Sequence, residues 1–317
     1  MRQVTKPTRV VIVGTGFVGS SFAYALAQAG LASEIVLIDI DRKKAEGEAM
    51  DINHGIEFVA PVKVWAGDYS DVKDADVIVI TAGVNQKPGE TRLDLTRTNS
   101  RITKDVCSEI VKYTKDAIIV MTANPVDILT YVTLKETGYP PNQVIGSGTL
   151  LDTARFRFLL GQHLGVDPRS VHAYIIGEHG DSELPVWSSA TVGGVPINKF
   201  CHKHPPDVCQ ATLNGIFEEV KNAAYEIIER KGATYYAIGW GLMRIVQAIV
   251  KDQRSVLTVS TLLDNYLGIS DVCLGIPVVV SRSGIERVVE LELSEDEYVK
   301  LNESANVLKA MQREIGY

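Results

Sequence analysis

Three polar clusters interrupt otherwise apolar stretches of this 317-residue chain, and they carry the residue types that proton and anion chemistry need. The first is His179, which lies between glycines in the segment 176–181 (Ile-Gly-Glu-His-Gly-Asp), just after a β-branched run. Small neighbours leave room for a ligand, and an imidazole that titrates near neutrality suits a general acid or base. A carboxylate must hold the proton on it at neutral pH; Asp152 is the candidate, with Glu178 and Asp181 as alternatives.

The other two clusters supply cations. Asp152 and Arg155 are three residues apart in a helical pattern, so they share one face of the helix. Arg155 can bind a carboxylate through two parallel hydrogen bonds. Arg92 ends the segment 85–92 (Asn-Gln-Lys-Pro-Gly-Glu-Thr-Arg), in which Pro and Gly predict a loop. On a loop that closes as water leaves, Arg92 would polarise a carbonyl oxygen.

A glycine-rich motif near the start of the chain predicts a phosphate site. Gly14, Gly16 and Gly19 form the pattern G-x-G-x-x-G between a β-branched run and a helical pattern. In this setting Gly14 permits a tight turn, and Gly16 lets the backbone approach a pyrophosphate. Gly19 lets the helix pack closely on the strand, and the helix N-terminus offers free N–H groups to the anion.

Asp39 completes a dinucleotide fingerprint, because it lies twenty residues after Gly19 at the end of a second apolar run. A carboxylate there accepts hydrogen bonds from the adenosine ribose and repels a 2′-phosphate, so NAD is predicted as the cofactor in preference to NADP. With a nicotinamide nearby, His179, Arg155 and Arg92 together predict reversible hydride transfer to the carbonyl of a small keto acid.

The pattern of elements predicts an α/β fold with a doubly wound parallel sheet of the Rossmann type, because short β-branched runs alternate with helical patterns in the first half. Continuous apolar runs indicate strands buried on both faces. Strands are expected at 9–13, 34–38, 62–65, 77–81, 117–122 and 144–145. Helices are expected at 18–28, 42–55, 96–112 and 126–136.

After about residue 146 the pattern changes to that of a mixed α+β domain, so we expect an NAD-binding domain at 1–146 and a substrate domain at 147–317. Helices are expected at 151–164, 207–231, 235–250 and from Ser294, where a capping box begins. Strands are expected at 171–176, 256–263, 272–281 and 288–293. The helix at 235–250 is apolar almost all round and is predicted to be buried, with Trp240 in the core.

The composition of the chain limits its possible binding partners and the cellular compartment in which it works. The net charge of −7 carries no basic block, which disfavours nucleic acid and anionic membranes. Four scattered cysteines make a disulfide framework improbable and favour a reducing cytoplasm. The segment 201–209 holds two Cys and two His, but their spacing matches no common structural zinc site, so no metal is predicted.

Taken together, these segments make the sequence resemble the bacterial L-lactate dehydrogenases of the lactate/malate dehydrogenase family. The likeness runs from Val10 to the C-terminal helix, and four segments carry it in family order: 82–92, 124–127 (Asn-Pro-Val-Asp), 152–155 (Asp-Thr-Ala-Arg) and 177–181 (Gly-Glu-His-Gly-Asp). A local departure is Met-Thr-Ala at 121–123, where the family often has Ala-Thr directly before Asn124.

The resemblance implies roles for individual residues. It implies His179 as acid/base with Asp152 as its partner, Arg155 on the substrate carboxylate and Arg92 as the polarising arginine of the lid. Asn124 would contact both cofactor and substrate, and Thr234 would line the substrate pocket beside the nicotinamide. The residues implied to line the NAD site are Val18, Asp39, Lys44, Tyr69, Gly83, Val84, Thr122, Asn124 and Ser147.

The resemblance also implies a regulated oligomer. Arg157 and His172 match positions that hold fructose 1,6-bisphosphate in bacterial lactate dehydrogenases, and a homotetramer is implied. An Arg and a titratable His from each of two subunits would form a cationic patch that repels itself until a bisphosphate binds.

Three alternatives stay open. Malate dehydrogenases share the fold but typically place Arg where Gln86 stands, because oxaloacetate has a second carboxylate that needs a cation. Gln86, with the nearby charge of Glu90, therefore favours pyruvate and lactate. A non-catalytic NAD-binding redox sensor would need neither His179 nor Arg155, and a purely structural role would need none of these residues.

Overall fold

The structure is a computed structural model that describes residues 6–85, 89–200 and 206–317. The helices are α1 Phe17–Ala29, α2 Arg42–His54, α3 Arg92–Ile110, α4 Val126–Thr137, α5 Leu150–Leu164, α6 Pro206–Lys231, α7 Tyr236–Val250 and α8 Glu295–Glu314. The first six strands are β1 Arg9–Val13, β2 Glu34–Ile38, β3 Lys63–Ala66, β4 Val77–Ile80, β5 Ile118–Met121 and β6 Val144–Gly146. The later strands are β7 Val171–His172, β8 Ile175–Ile176, β9 Leu184–Pro185, β10 Thr191–Val192, β11 Val195–Pro196, β12 Ser255–Leu263, β13 Val272–Ser281 and β14 Gly284–Val288.

One nine-stranded sheet runs through the molecule in the order β14-β13-β12-β6-β5-β4-β1-β2-β3. The six strands of the first half pair in parallel, and β12 to β14 add an antiparallel extension. The side chains of β1 alternate between two hydrophobic clusters, with Val10 and Ile12 on one face and Val11 and Val13 on the other. Burial on both faces explains the continuous apolar runs, and the predicted Rossmann-type α/β fold is confirmed.

The second half adds two small sheets, β11-β10-β7 and β8-β9. The run at 171–176, predicted as one strand, is divided between β7 and β8. The strand predicted at 288–293 is wrong, because β14 begins at Gly284, directly after the turn, and ends at Val288. The N–H of Val289 still bonds to the carbonyl of Pro277 (2.9 Å), but Pro277 has no N–H to continue the ladder. Helix α8 begins at the predicted capping box, where Ser294 accepts from Glu297 N–H.

Two expectations about buried side chains need correction. Helix α7 packs on α1 through Gly239, but the side chain of Trp240 is 64% exposed and is not in the core. Cys107 and Cys273 are buried free thiols, whereas Cys209 is disulfide-bonded. The bonded state of Cys209 differs from the expectation that the cysteines are reduced. Within the described residues, every helix is too short or too polar to cross a lipid bilayer.

Candidate active site

The carboxyl ends of the parallel strands gather the predicted cofactor residues at one edge of the sheet. Gly14 follows β1, and its φ of +102° is a backbone conformation that glycine adopts readily. A Cβ at Gly14 would lie 2.7 Å from the amide nitrogen of Ala82, and a Cβ at Gly19 would lie 2.0 Å from the carbonyl oxygen of Gly14. At Gly16 an added Cβ would meet nothing within 4 Å. The turn is therefore tightly packed inside and open at Gly16, as a diphosphate cradle at the N-terminus of α1 requires.

Asp39 follows β2 and is fixed against the glycine turn. Its Oδ2 accepts hydrogen bonds from the N–H (2.6 Å) and the hydroxyl (2.8 Å) of Thr15, and its Oδ1 accepts from Asp41 N–H (2.9 Å). Burial would raise the pKa of Asp39, but the hydrogen bonds from Thr15 and Asp41 outweigh it and lower that pKa. An ionised carboxylate beside the cradle can accept from ribose hydroxyls and repel a 2′-phosphate.

The other residues that the resemblance assigns to the NAD site lie around the same edge. Gly83 and Val84 follow β4, and Val18 lies on α1, Lys44 on α2 and Tyr69 just after β3. Thr122 and Ser147 follow β5 and β6, and their hydroxyl oxygens are 3.0 Å apart. These positions fit the crevice in which doubly wound sheets bind nucleotides, where the strand order reverses between β1 and β4.

His179, Asp152 and Arg155 form one cluster, in which Asp152 is buried and the other two side chains are partly buried. The Nδ1 atom of His179 is 2.5 Å from Oδ2 of Asp152, and an Nη atom of Arg155 donates to Oδ1 of the same carboxylate at 2.7 Å. Burial alone would lower the pKa of His179, but the charge and hydrogen bond of Asp152 raise it to about 9. Burial likewise opposes ionisation of Asp152, yet the charge of His179 keeps the pKa of that carboxyl below its ordinary value. Asp152 thus occupies Nδ1 and leaves Nε2 for a substrate.

The two alternative partners of His179 have a different role. Glu178 and Asp181 both pair with Arg92, Glu178 through a close contact and Asp181 at 3.2 Å. Arg92 is the first residue of α3, so the prediction that it lies on a loop is wrong. Thr91 caps the helix by accepting from Asp94 N–H, a capping box that the Pro and Gly of the preceding segment obscured.

Two residues that position this cluster were not predicted from the sequence. Asp127 on α4 is buried, and its carboxylate accepts from the backbone N–H of His179 (2.8 Å) and from the hydroxyl of Ser260 (2.6 Å). Asn99 on α3 donates to the carbonyl oxygens of Asn124 (2.7 Å) and Val84 (3.1 Å). The signal for Asp127 was an acidic residue within an apolar helical run; Asn99 had no comparable signal.

Two predicted site residues, Thr234 and Gln86, have no described contact with this cluster. Thr234 is half-buried just before α7. Gln86 lies outside the described residues, as does most of the cysteine- and histidine-containing segment 201–209.

Comparison with known proteins decides the family. The model of the lactate/malate dehydrogenase NAD-binding domain matches residues 8–146, and that of the α/β C-terminal domain of the same family matches residues 149–315. The chain belongs to the lactate/malate dehydrogenase family. It is therefore an NAD-dependent oxidoreductase, and NAD is its cofactor.

Individual members of the lactate/malate dehydrogenase family are similar along almost the whole chain. An L-lactate dehydrogenase of Acetivibrio thermocellus is 54% identical over 301 residues, 95% of each chain. One of Priestia megaterium is 52% identical over 312 residues, 97% of this chain and 96% of the other. The crystal structure of a lactate dehydrogenase from a deep-sea metagenome library of the Medee basin superposes with a TM-score of 0.95 at 47% identity, covering 99% of this chain and 100% of that one.

Proposed function

We propose that the protein is an L-lactate dehydrogenase, which reduces pyruvate with NADH and a proton to L-lactate and NAD, reversibly. The observation that carries the proposal is the pairing of one carboxylate, Asp152, with both His179 and Arg155. That pairing puts a proton donor and a carboxylate-binding cation side by side. The names of the most similar relatives support the same activity.

The chemistry divides between cofactor and protein. When bound, the cofactor would supply the hydride as NADH or accept it as NAD. Arg155 binds the substrate carboxylate, and protonated His179 donates from Nε2 to the carbonyl oxygen as that oxygen gains charge. Asp152 keeps the imidazole oriented and stabilises its charge. Arg92 leaves Glu178 and Asp181 and turns toward the carbonyl oxygen, where a cation stabilises the developing alkoxide.

The NAD site proposed here uses the glycine turn for the pyrophosphate and Asp39 for the adenosine ribose. Asn124 and Thr234 lie between the cofactor and the substrate pocket. Residues 1–146 supply most of the cofactor contacts and residues 147–317 most of the substrate contacts. The proposed reaction needs no metal ion, and we propose the cytoplasm as its compartment.

Substrate choice is assigned to Gln86. A neutral amide suits the methyl group of pyruvate and leaves the second carboxylate of oxaloacetate without a cation. The test is the oxidation of NADH, followed at 340 nm, with each keto acid in turn. Pyruvate is expected to be the better substrate by kcat/KM, and Q86R is expected to shift the preference at least tenfold toward oxaloacetate. An unchanged ratio would overturn the assignment to Gln86, and a wild type that prefers oxaloacetate would make the protein a malate dehydrogenase.

We also propose that fructose 1,6-bisphosphate activates a homotetramer through Arg157 and His172. Arg157 is half-buried and donates to the carbonyl oxygen of Ala173 (2.9 Å), the residue after the exposed His172, so the two residues are neighbours in the fold. The effector should lower the KM for pyruvate, more strongly near or below neutral pH. Sedimentation with and without the bisphosphate tests the assembly, and R157Q should abolish both effects. A flat titration at every pH would exclude this regulation.

A further inference from the structure

Glu183 is a buried acid beside the catalytic cluster that the mechanism above does not use. Its side chain is 7% exposed. One carboxylate oxygen of Glu183, one of Asp152 and one ring nitrogen of His179 all lie within 4.8 Å of one another. Two carboxyl groups and one imidazole therefore share a volume too small for two unscreened negative charges.

The backbone fixes Glu183 at this place. Its N–H donates to the carbonyl oxygen of Gly180 (3.2 Å), which closes the turn that also carries His179. The next residue, Leu184, pairs with Ile176 in the β8–β9 ladder. Because both ends of the turn are held, Glu183 and His179 keep their separation.

The charges facing Glu183 come from three elements. Asp152 and Arg155 face it from α5, Lys221 faces it from α6, and His179 faces it from its own turn. Burial first, and then the charge of Asp152, raise the pKa of Glu183 to about 9, although His179, Arg155 and Lys221 oppose the shift. At neutral pH the two carboxyl groups therefore carry one negative charge, which stays on Asp152, and Glu183 is the protonated acid.

Glu183 also borders a cavity whose walls do not include His179. It lines a cavity of about 800 Å³ together with Lys221, Phe217, Trp187 and the exposed Glu303. Through this cavity the carboxyl group of Glu183 can exchange protons with water.

We propose that Glu183 is a positioning residue for proton transfer, whose carboxyl group, held within 4.8 Å of the Asp152–His179 pair, helps to hold the proton on His179. An opposite charge within a few ångströms favours the charged imidazole, so each proton that leaves Glu183 makes the next one harder to remove from His179. The pair extends the range over which the enzyme reduces a keto acid toward higher pH. This inference rests on the proposed dehydrogenase activity.

The test is a titration of the free protein by NMR with ¹³C-labelled histidine and glutamate side chains. The His179 signal is assigned as the one that H179N removes. In the wild type one glutamate carboxyl carbon should titrate near pH 9, and E183Q should remove that titration. E183Q should also lower the pKa of His179 by about one unit, and E183D should restore part of the shift. The alkaline limb of kcat/KM for pyruvate should move by the same amount.

Glu303 provides a matched control. E303Q makes the same acid-to-amide change in the wall of the same cavity, outside the cluster, and should leave the His179 titration unchanged. If no glutamate of the wild type titrates above pH 7, or if E183Q and the wild type give the same His179 pKa, the proposal is overturned. If E183Q does not fold, the titration of the glutamate carboxyl carbons in the wild type still tests the proposal. Because these signals are read without substrate, absence of pyruvate reduction would count against the proposed function alone.

Discussion

The guanidinium group of Arg92 is paired with the carboxylate of Glu178, the residue directly before His179. Glu178 is buried, its carboxylate accepts a second hydrogen bond from the hydroxyl of Ser182 (2.5 Å), and its backbone N–H donates to the hydroxyl oxygen of Ser304 (2.8 Å). The arginine that should act on the carbonyl oxygen is thus held next to the acid/base residue, bound to a fixed anion. A substrate must draw it away from that anion.

We expect R92Q to lower kcat for pyruvate about 10²- to 10³-fold, because it removes a cation that acts on the developing alkoxide. Affinity for NADH, measured by fluorescence titration, should change little. R97Q is the matched control, since Arg97 lies further along the same helix and contacts Glu314 near the protein surface at 3.9 Å. A similar loss in both variants would show that the charge of α3, and not Arg92 itself, matters.

The protonation of His179 sets opposite pH profiles for the two directions. The pKa of His179 is raised to about 9, and keto-acid reduction needs the protonated ring. The kcat/KM for pyruvate should therefore be constant through neutrality and fall above about pH 9, while lactate oxidation should rise toward that pH. D152N should move both limbs to lower pH, because only the smaller effects of Asp127 and Glu183 then oppose the lowering of the His179 pKa by burial. Profiles that D152N leaves in place would contradict the assigned pair.

Replacing His179 measures how much its imidazole contributes to the rate of pyruvate reduction. H179N should lower kcat/KM for pyruvate roughly 10²- to 10⁴-fold, the usual range for a general acid. NADH affinity should stay close to that of the wild type, because the asparagine removes a proton donor and not the cofactor cradle. Stopped-flow measurement of the first turnover checks that the loss is in the chemical step.

Arg155 is expected to be sensitive even to a conservative change. R155K keeps the charge but loses the two parallel hydrogen bonds, so transition-state stabilisation should fall by about 1.5–3 kcal/mol. The kcat/KM for pyruvate should then fall roughly 10- to 150-fold. Acetaldehyde has no carboxylate and serves as the control substrate; its slow reduction should be equal in both proteins. An equal loss with acetaldehyde would mean that Arg155 acts through Asp152 and not on the substrate.

Two substitutions in the glycine turn should have different effects, one on packing and the other on cofactor binding. G19A puts a methyl group against the carbonyl oxygen of Gly14 and should cost about 1–3 kcal/mol of unfolding free energy. G16A meets no atom within 4 Å and has an ordinary φ of −67°, so it should cost at most about 1 kcal/mol. Its methyl group would occupy the space assigned to the pyrophosphate, and NADH affinity should fall at least about tenfold. Chemical denaturation and NADH titration of both variants distinguish the two effects.

The parts of the fold that could be predicted are those fixed by local patterns. Continuous apolar runs located β1, β2 and β4, because strands buried on both faces need no polar alternation. The spacing of Asp152 and Arg155 was sufficient to place them on one side of α5. The exposure of Trp240 could not be derived from its hydrophobicity, since an apolar side chain can lie on either side of a helix that packs on one face.

Long-range contacts limited the prediction of the site. Asp127 reaches His179 only because α4 and the β8–β9 turn, which are far apart in sequence, meet beside the end of the sheet. Which of Asp152, Glu178 and Asp181 binds His179 also depended on where Arg92 lies, and its position at the start of α3 was not foreseen. Electrostatic pairing in a cluster of this kind is a property of the assembled fold.

The shared sheet limits how the molecule can change shape. Gly146 at the end of β6 faces Ser260 of β12, and a Cβ at Gly146 would lie 2.7 Å from the Cβ of Ser260 and 2.2 Å from the hydroxyl of Thr130. The two halves of the chain are thus joined by main-chain pairing at a point with no spare space. A hinge between them would have to break backbone hydrogen bonds. Opening and closing around a ligand should therefore be small in amplitude and fast compared with any rotation of one half against the other.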